Sequence, residues 1–416
     1  MSAMREFLRM TNPIQHYTWG SRSVLASLQG RPGPTPEPEA ELWMGAHASA
    51  PSRVHHRGRQ CGLDEVAPHL PFLLKILAIA APLSIQVHPT TDQAREGFAR
   101  EEAQGVARDA PHRNYKDEHA KPETVVALTD MWLLAGQQQR EPLAALAADL
   151  DLPWLAVAAQ SECPVRHALQ LPEDDAAAAV RACVAAAGPD TAVSAQEGTL
   201  ALSPDMSSTE RARCLIRLLT HHYPQDRGLL VALCMNLVHL APGQALFTPA
   251  RQVHAYLSGT AVEIMGCSDN VLRAGLTSKH VDVPELLDVM GDTQEPVALL
   301  ETTTAPDGAV VYPLWDPAVS LVSARVAPGE PLVRETAGTC MLLVTEGEVT
   351  ARAHTTPAGE GTSTSAREGA PAGPDAVPGT AASSGESLVC LEGPSTIAVE
   401  GTGRVFLVEA VTHTTV

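Results

Sequence analysis

The chain has 416 residues, with 48 Asp and Glu against 29 Lys and Arg and a formal net charge of −19. That length predicts more than one domain and a large core, and the acidic balance argues against nucleic acid, whose phosphates need basic patches. No apolar run reaches the length of a membrane span, and M-S-A-M-R-E-F-L-R-M lacks the apolar stretch of a secretory leader, so a cytoplasmic protein without membrane partners is expected.

Residues 1–138 alternate strand-like runs with Pro/Gly turns: Y-T-W-G-S (17–21), E-L-W-M-G (41–45) and T-V-V-A-L-T (124–129). Between them the apolar run P-F-L-L-K-I-L-A-I-A-A-P (71–82) leads into L-S-I-Q-V-H-P-T (83–90). Its alternation predicts a strand with Leu83, Ile85 and Val87 on one face and Ser84, Gln86 and His88 on the other, stopped by Pro89. The polar face is either simply solvated or aims Gln86 and His88 at one metal ion.

Residues 139–226 change texture. E-P-L-A-A-L-A-A-D-L, D-D-A-A-A-A-V-R-A-C-V-A-A-A-G and S-S-T-E-R-A-R-C-L-I-R-L-L-T-H-H predict helices, with a start at Ser208 and Glu210 and a stop at Gly188. From 227 to 305 strands return, in L-L-V-A-L-C-M-N-L-V-H-L (229–240) and A-P-G-Q-A-L-F-T-P (241–249). The helical block is thus an insertion in, or a lobe beside, a β domain. The segment L-A-P-G-Q-A-L-F-T-P-A-R-Q-V-H (240–254) is echoed by V-A-P-G-E-P-L-V-R-E-T-A-G-T-C (326–340), with Cys340 where the first copy has His254. The echo predicts two jelly-roll barrels, the second (306–416) without a metal. Residues 354–386, rich in Ala, Gly, Pro, Ser and Thr, predict a disordered loop. None of the eight cysteines forms a C-x-x-C pair, so reduced, buried thiols are expected.

Four pieces can carry chemistry: Q-V-H (86–88), N-Y-K-D-E-H-A-K-P-E (114–123), R-Q-V-H-A-Y-L-S-G (251–259) and V-E-I-M-G-C-S-D-N-V-L-R-A-G-L-T-S-K (262–279). Gln86, His88, Glu123 and His254 would supply two imidazoles, a carboxylate and an amide oxygen, a set that suits zinc. Most histidines bind no metal, and the spacing alone is not specific. Lys121, Arg273 and Lys279 flank these residues; each is a solvated surface charge or a contact for an anion. Arg273 lies in an apolar stretch, where an unpaired guanidinium is costly, so either a carboxylate or a substrate anion must meet it. Glu263, on an alternating strand, and Asp269, in a turn, are candidates for acid/base work. Asp is also common in turns for backbone reasons alone.

Residues 254–279, H-A-Y-L-S-G-T-A-V-E-I-M-G-C-S-D-N-V-L-R-A-G-L-T-S-K, resemble the signature of type I mannose-6-phosphate isomerases. So do Y-K-D-E-H-A-K-P-E (115–123), L-S-I-Q-V-H-P (83–89) and P-I-Q-H-Y-T-W-G-S (13–21), over residues 12 to about 290 in the family's order. The resemblance implies a mainly β fold with a helical lobe: a cupin-type jelly-roll catalytic barrel and a second, metal-free C-terminal jelly-roll. It implies one zinc per chain, held by Gln86, His88, Glu123 and His254. The activity implied is interconversion of mannose 6-phosphate and fructose 6-phosphate through a cis-enediol, by a cytoplasmic monomer serving mannose activation. Arg273 matches the family's catalytic arginine, and Ser84, Lys121, Tyr256, Glu263, Asp269 and Lys279 match other implicated positions. The family's N-H-K-P-E is H-A-K-P-E here, with Ala120 before Lys121 and the histidine displaced to His119; Gly266 and Ser278 are lesser departures. A cupin oxygenase would carry H-x-H with a nearby glutamate, unlike Q-x-H here. A purely structural β protein would need none of these ligands. A sugar-phosphate binder that has lost catalysis is the remaining alternative.

Overall fold

A computed structural model describes residues 6–188, 202–355, 379–391 and 393–410. Its architecture is mainly β, with every strand pairing antiparallel and a cluster of helices against one end. The first sheet has its centre in two strands. Phe72–Ile79 is buried at every position and lies between Glu41–Gly45 and His254–Gly266. His254–Gly266 does double duty. Its first residues pair with Met131–Gln137 and with Gln86, and its later ones with Phe72–Ile79 and Glu123–Ala127. The switch occurs at a register shift between Tyr256 and Ser258, followed by Gly259 at φ +118. A side chain there would lie 2.8 Å from the Asp130 carbonyl oxygen, so glycine is needed for the bend as well as the backbone angle.

Alternation gives each of these strands two jobs. On Phe72–Ile79, Phe72, Leu74, Ile76 and Ala78 pack with Met341, Leu343, Phe406 and Val408 of a second sheet. Leu73, Lys75 and Leu77 face a pocket instead. On the other half, Ile85, Val87, Ala255, Leu272 and Ala274 pack into a core shared with helical residues such as Leu143, Leu155, Leu219 and Leu230. Gln86, His254, Tyr256 and Arg273, the alternate residues, line the pocket.

The helices of the lobe are Arg140–Asp149, Pro153–Gln160, Pro164–Gln170, Glu173–Ala187 and Ser208–His222. Glu173–Ala187 ends at Gly188, φ +71, as expected. Ser208–His222 begins one residue after its cap Ser207, whose hydroxyl accepts from Glu210 N while the Glu210 carboxylate accepts from Ser207 N. No helix among the described residues is long and apolar enough to cross a membrane.

Four expectations differ from the structure. Residues 229–233 of the run read as a strand belong instead to a helix, Gly228–Leu233, buried on all sides; an apolar run with no exposed face carries no period to read. Y-T-W-G-S is a turn closed by Gly20 N donating to Tyr17 O at 3.0 Å, joined to its neighbours by isolated bridges at Gly20 and Ser21 and by Trp19 packing on the sheet. A helix, Thr91–Ala103, interrupts the region read as strands, started by a capping box in which Thr90 and Gln93 bond each other's backbone N–H. Of the loop expected at 354–386, residues 356–378 lie outside the described residues. Its far flank is ordered as the strand Thr380–Ser383, paired with Glu348–Ala351, because small side chains fit that ladder and bury Ala382.

The second sheet is built on Thr339–Thr355 and Ser395–Ala410, which pair along nearly their whole length. Cys340, the counterpart of His254, is buried there opposite Cys390. The sheet also takes strands from the other end of the chain: Leu8–Thr11 pairs with Ser387–Cys390 and with Arg53–His56.

Ile85 is fully buried beside Gln86. Ile85→Ala is expected to lower stability by about 2–5 kcal/mol, as cavity formation in a packed core does. A shift in the denaturant midpoint at unchanged slope reads this out; an unmoved midpoint would mean that the helical lobe does not hold this strand.

Candidate active site

Three strands place their side chains in a row. In the ladders, Gln86 is the partner of His254 on one side and of Arg273 on the other. Strands in a sheet are about 4.8 Å apart, so these three side chains stand shoulder to shoulder on the pocket face. His88 follows two residues after Gln86, and Glu123 opens the strand opposite Met265.

His88, Glu123 and His254 are all buried, with one ligand atom of each within 4.8 Å of the others. Glu123 Oε1 lies 3.4 Å from His88 Nε2, and Oε2 lies 3.2 Å from His254 Nε2. The far sides of the rings decide the protonation. His88 Nδ1 is 2.6 Å from the Asn270 carbonyl oxygen, and His254 Nδ1 is 3.0 Å from that of Gln252. A carbonyl only accepts, so each Nδ1 carries the proton, and in a neutral ring Nε2 is then a lone pair. Burial, helped by nearby Lys121, pushes His88 down to about 4. Burial alone would raise the Glu123 carboxyl, but the Lys121 ammonium, at 2.8 Å, leads the groups that hold it well below the usual carboxylate range. An ionised carboxylate therefore faces imidazole lone pairs in a buried site. His88 Nε2 is left without a hydrogen-bond partner, and its contact with Glu123 is no salt bridge while the ring is neutral. Acceptors turned on acceptors repel; a divalent cation among them resolves the conflict, and the N, N, O donor set fits one. Gln86 has its amide nitrogen 3.4 Å from Ser84 Oγ, which leaves its oxygen as the end suited to the same ion.

The pocket has a volume of about 590 Å³. One wall is a network of buried charges. Lys75 Nζ lies 3.3 Å from Glu41 Oε2 and 3.3 Å from Glu263 Oε2. Trp43 Nε1 donates to Glu41 Oε2 at 2.5 Å, and Tyr256 Oη donates to Glu263 Oε1 at 2.9 Å. Burial would strip Lys75 of its proton, but the Glu41, Glu263 and Glu123 carboxylates outweigh it and raise its pKa. Burial lifts the Glu263 carboxyl above its usual range, Lys75 offsetting only part of this. It also raises Tyr256 well above an ordinary phenol, so the proton of that hydrogen bond stays on Tyr256.

The other wall gathers cations. Arg273, Lys279 and Lys116 line the pocket, and none has an ion-pair partner among the described residues. Burial lowers the Arg273 pKa, and burial with repulsion from Arg273 and Lys116 lowers that of Lys279. Arg273 thus lies in apolar surroundings with no carboxylate to neutralise it among the described residues.

All the residues read in the sequence as metal ligands, catalytic groups or substrate contacts line this pocket except His88, which is buried. Asp269 sits at the rim, 47% exposed, with His47 Nε2 at 3.6 Å. Lys121 is tied to Glu123. His119 is exposed and does not line the pocket, so the displaced histidine stands outside the site. The S-D-N turn supports the site from behind. Asn270 is buried, its carbonyl orients His88, and its side chain binds Lys116 N, Asp117 O and His119 O. Sequence reasoning missed Lys75, Glu41, Trp43, His47 and Lys116. Lys75 alone left a signal, a lysine in the middle of an apolar strand, which has to be paired if buried.

Residues 7–140 match the model of the phosphomannose isomerase type I catalytic domain. The chain is 36% identical to a mannose-6-phosphate isomerase of Escherichia coli (strain K12) over 322 residues, covering 72% of this chain and 79% of the relative. It is 30% identical to the Bos taurus mannose-6-phosphate isomerase over 395 residues, covering 85% and 90%. A zinc-bound crystal structure of mannose 6-phosphate isomerase superposes with a TM-score of 0.79 at 28% identity, covering 98% of this chain and all (100%) of the other. A point mutant of the phosphomannose isomerase from Salmonella typhimurium gives 0.80 with the same coverage, 98% and 100%.

If the carboxylate and imidazoles hold a cation, zinc returned to metal-depleted protein is expected to raise the melting temperature progressively with its concentration. Glu123→Gln should weaken that response at least as much as the ~10–100-fold that loss of an outer-shell partner costs a metal site. A wild-type melting temperature indifferent to zinc and chelator would count against the site.

Proposed function

The chain belongs to the type I mannose-6-phosphate isomerase family, and on that premise we propose that it interconverts mannose 6-phosphate and fructose 6-phosphate, using one zinc ion held by Gln86, His88, Glu123 and His254. The observation that carries this is the juxtaposition, in one pocket, of an anionic cluster short of a cation and a set of cations short of an anion. Bound zinc would supply Lewis acidity, polarising oxygens of the sugar.

The remaining work falls to side chains. Arg273, next to Gln86 in the row, presents its fork to the reacting oxygens, where charge grows as an aldose becomes an enediolate. Lys279 and Lys116 take the phosphate. Glu263 removes the proton from C2 and returns it to C1. It is buried and lines the pocket, and its raised pKa lies nearer neutrality, which suits a group that must both take and give a proton. Tyr256 and Lys75 fix its two oxygens. Asp269, at the exposed rim, is the lesser candidate for that step. Ser84 bonds the Gln86 amide and lines the sugar's path. Lys121 assists by holding Glu123 ionised.

On this reading the two sheets are cupin-type jelly-rolls. The catalytic barrel comprises 1–138 and 227–305, the helical insertion 139–226 and the C-terminal barrel 306–416, with strand Leu8–Thr11 lent to the C-terminal sheet. The enzyme so proposed is a cytoplasmic monomer feeding mannose activation.

A coupled assay for fructose 6-phosphate formed from mannose 6-phosphate tests the reaction; activity is expected to vanish on chelation and return with zinc. Glu263→Gln should lower kcat by about 10²–10⁴-fold, the usual range for a lost general base, at unchanged zinc content. Full activity in that variant would transfer the role to Asp269, and full activity after complete chelation would remove the metal from the mechanism.

A further inference from the structure

Among the described residues of the helical lobe, Tyr223 lines the pocket, and in the turn that it opens, residues 223–228, Asp226 bonds the backbone of a pocket-lining segment. Its carboxylate faces backbone rather than a cation. Oδ1 accepts from Gly228 N at 2.6 Å and from Leu276 N at 3.1 Å, and Oδ2 accepts from Thr277 N at 3.2 Å. No cation pairs with it among the described residues. Charge-assisted bonds of this kind are the strong ones.

The segment so held lies between Arg273 and Lys279 and is not relaxed by itself. Leu276 has φ +56 and Gly275 φ +144, and a leucine in the left-handed region persists only where its surroundings impose it. The two backbones also touch. A Cβ on Gly275 would lie 2.4 Å from Gly228 Cα, and one on Gly228 would lie 2.5 Å from Leu276 N. Beyond the turn, Thr277 Oγ1 accepts from Lys279 N at 3.1 Å, which passes the constraint to the lysine. On the opposite side, Tyr223 Oη donates to the Pro82 carbonyl at 2.7 Å, just before Ser84 and Gln86. Asp226 does not line the pocket itself.

We propose that Asp226 is a positioning residue for the phosphate end of the pocket. By fixing the Gly275–Thr277 turn it sets where Lys279 points, so that the helical lobe tunes affinity for the substrate's anionic group. This rests on the assignment of the phosphate to Lys279 and Lys116.

The test uses the full-length zinc enzyme and inorganic phosphate as competitive probe. Asp226→Ala removes all three bonds. Asp226→Asn is nearly isosteric and turns an amide donor on the Thr277 N–H, so it keeps the fold if the alanine variant does not. Lys279→Met and the double variant with Asp226→Asn complete a cycle. The expected result is a rise of about tenfold in the KM for mannose 6-phosphate and in the Ki of phosphate for Asp226→Asn, with kcat changed far less and zinc content constant. In the Lys279→Met background the Asp226 change should add little, since it acts through that lysine. Two outcomes overturn the proposal while leaving the phosphate assignment intact: Lys279→Met raises Ki but Asp226→Asn does not, or the two effects simply add. If Lys279→Met itself leaves Ki unmoved, the phosphate assignment fails and the proposal with it.

Discussion

The carboxylate of Glu123, ionised in a buried site between two imidazoles whose protons are committed elsewhere, is the constraint around which the rest is arranged. Nδ1 of His88 is held by the Asn270 carbonyl and Nδ1 of His254 by that of Gln252. Those two backbone contacts choose the tautomers, and the tautomers make the centre a set of lone pairs looking inward. A site of this kind is costly to fold without its cation. The surrounding strands are packed on both faces, and among the described residues Lys121 supplies the protein cation bonded to the carboxylate.

Rigidity comes from using both faces of each strand. Ile85, Val87, Leu272 and Ala274 are buried against the helical lobe, while Gln86 and Arg273, between them, look into the pocket. Phe72, Leu74 and Ile76 are likewise locked onto the second sheet, while Lys75 faces inward. Each fully buried large apolar side chain contributes roughly 1.5–3 kcal/mol by area. The helical lobe and C-terminal sheet are then buttresses of the two halves of the site. The long strand His254–Gly266, bent at Gly259, joins those halves and carries His254, Tyr256 and Glu263 on the pocket side.

Charge divides the pocket in two. At one wall Lys75 pairs with both Glu41 and Glu263, whose carboxylates are further held by Trp43 and Tyr256. At the other, Arg273, Lys279 and Lys116 have nothing to neutralise them among the described residues. A satisfied network holds geometry before substrate arrives; an unsatisfied one awaits an anion. The separation matters because a carboxylate near Arg273 would compete with the substrate for the same fork.

Much of the site was legible because its local pattern is short-range. The alternation in L-S-I-Q-V-H-P put Gln86 and His88 on one face, and the family-like motifs K-P-E and H-A-Y picked out Glu123 and His254, which the fold brings together with them. The start signal read at Ser208 and Glu210, one residue from the actual cap Ser207, and the stop at Gly188 likewise lie within a few residues of the ends they mark. What periodicity does not carry is which residue meets which across a long stretch of chain. That Lys75 is paired with Glu41 and Glu263, that Asn270 chooses the tautomer of His88, that Asp226 of the helical lobe holds the Arg273–Lys279 segment, and that Leu8–Thr11 joins the C-terminal sheet are all contacts between distant segments. The fully buried helix Gly228–Leu233 escapes the pattern for a related reason: with no solvent face, nothing in the residues reports its period. Residue types and family-like motifs determined the donors and the chemistry they suit; only tertiary structure decided their protons and their partners, because hydrogen bonds and ion pairs depend on distance in space and not on distance along the chain.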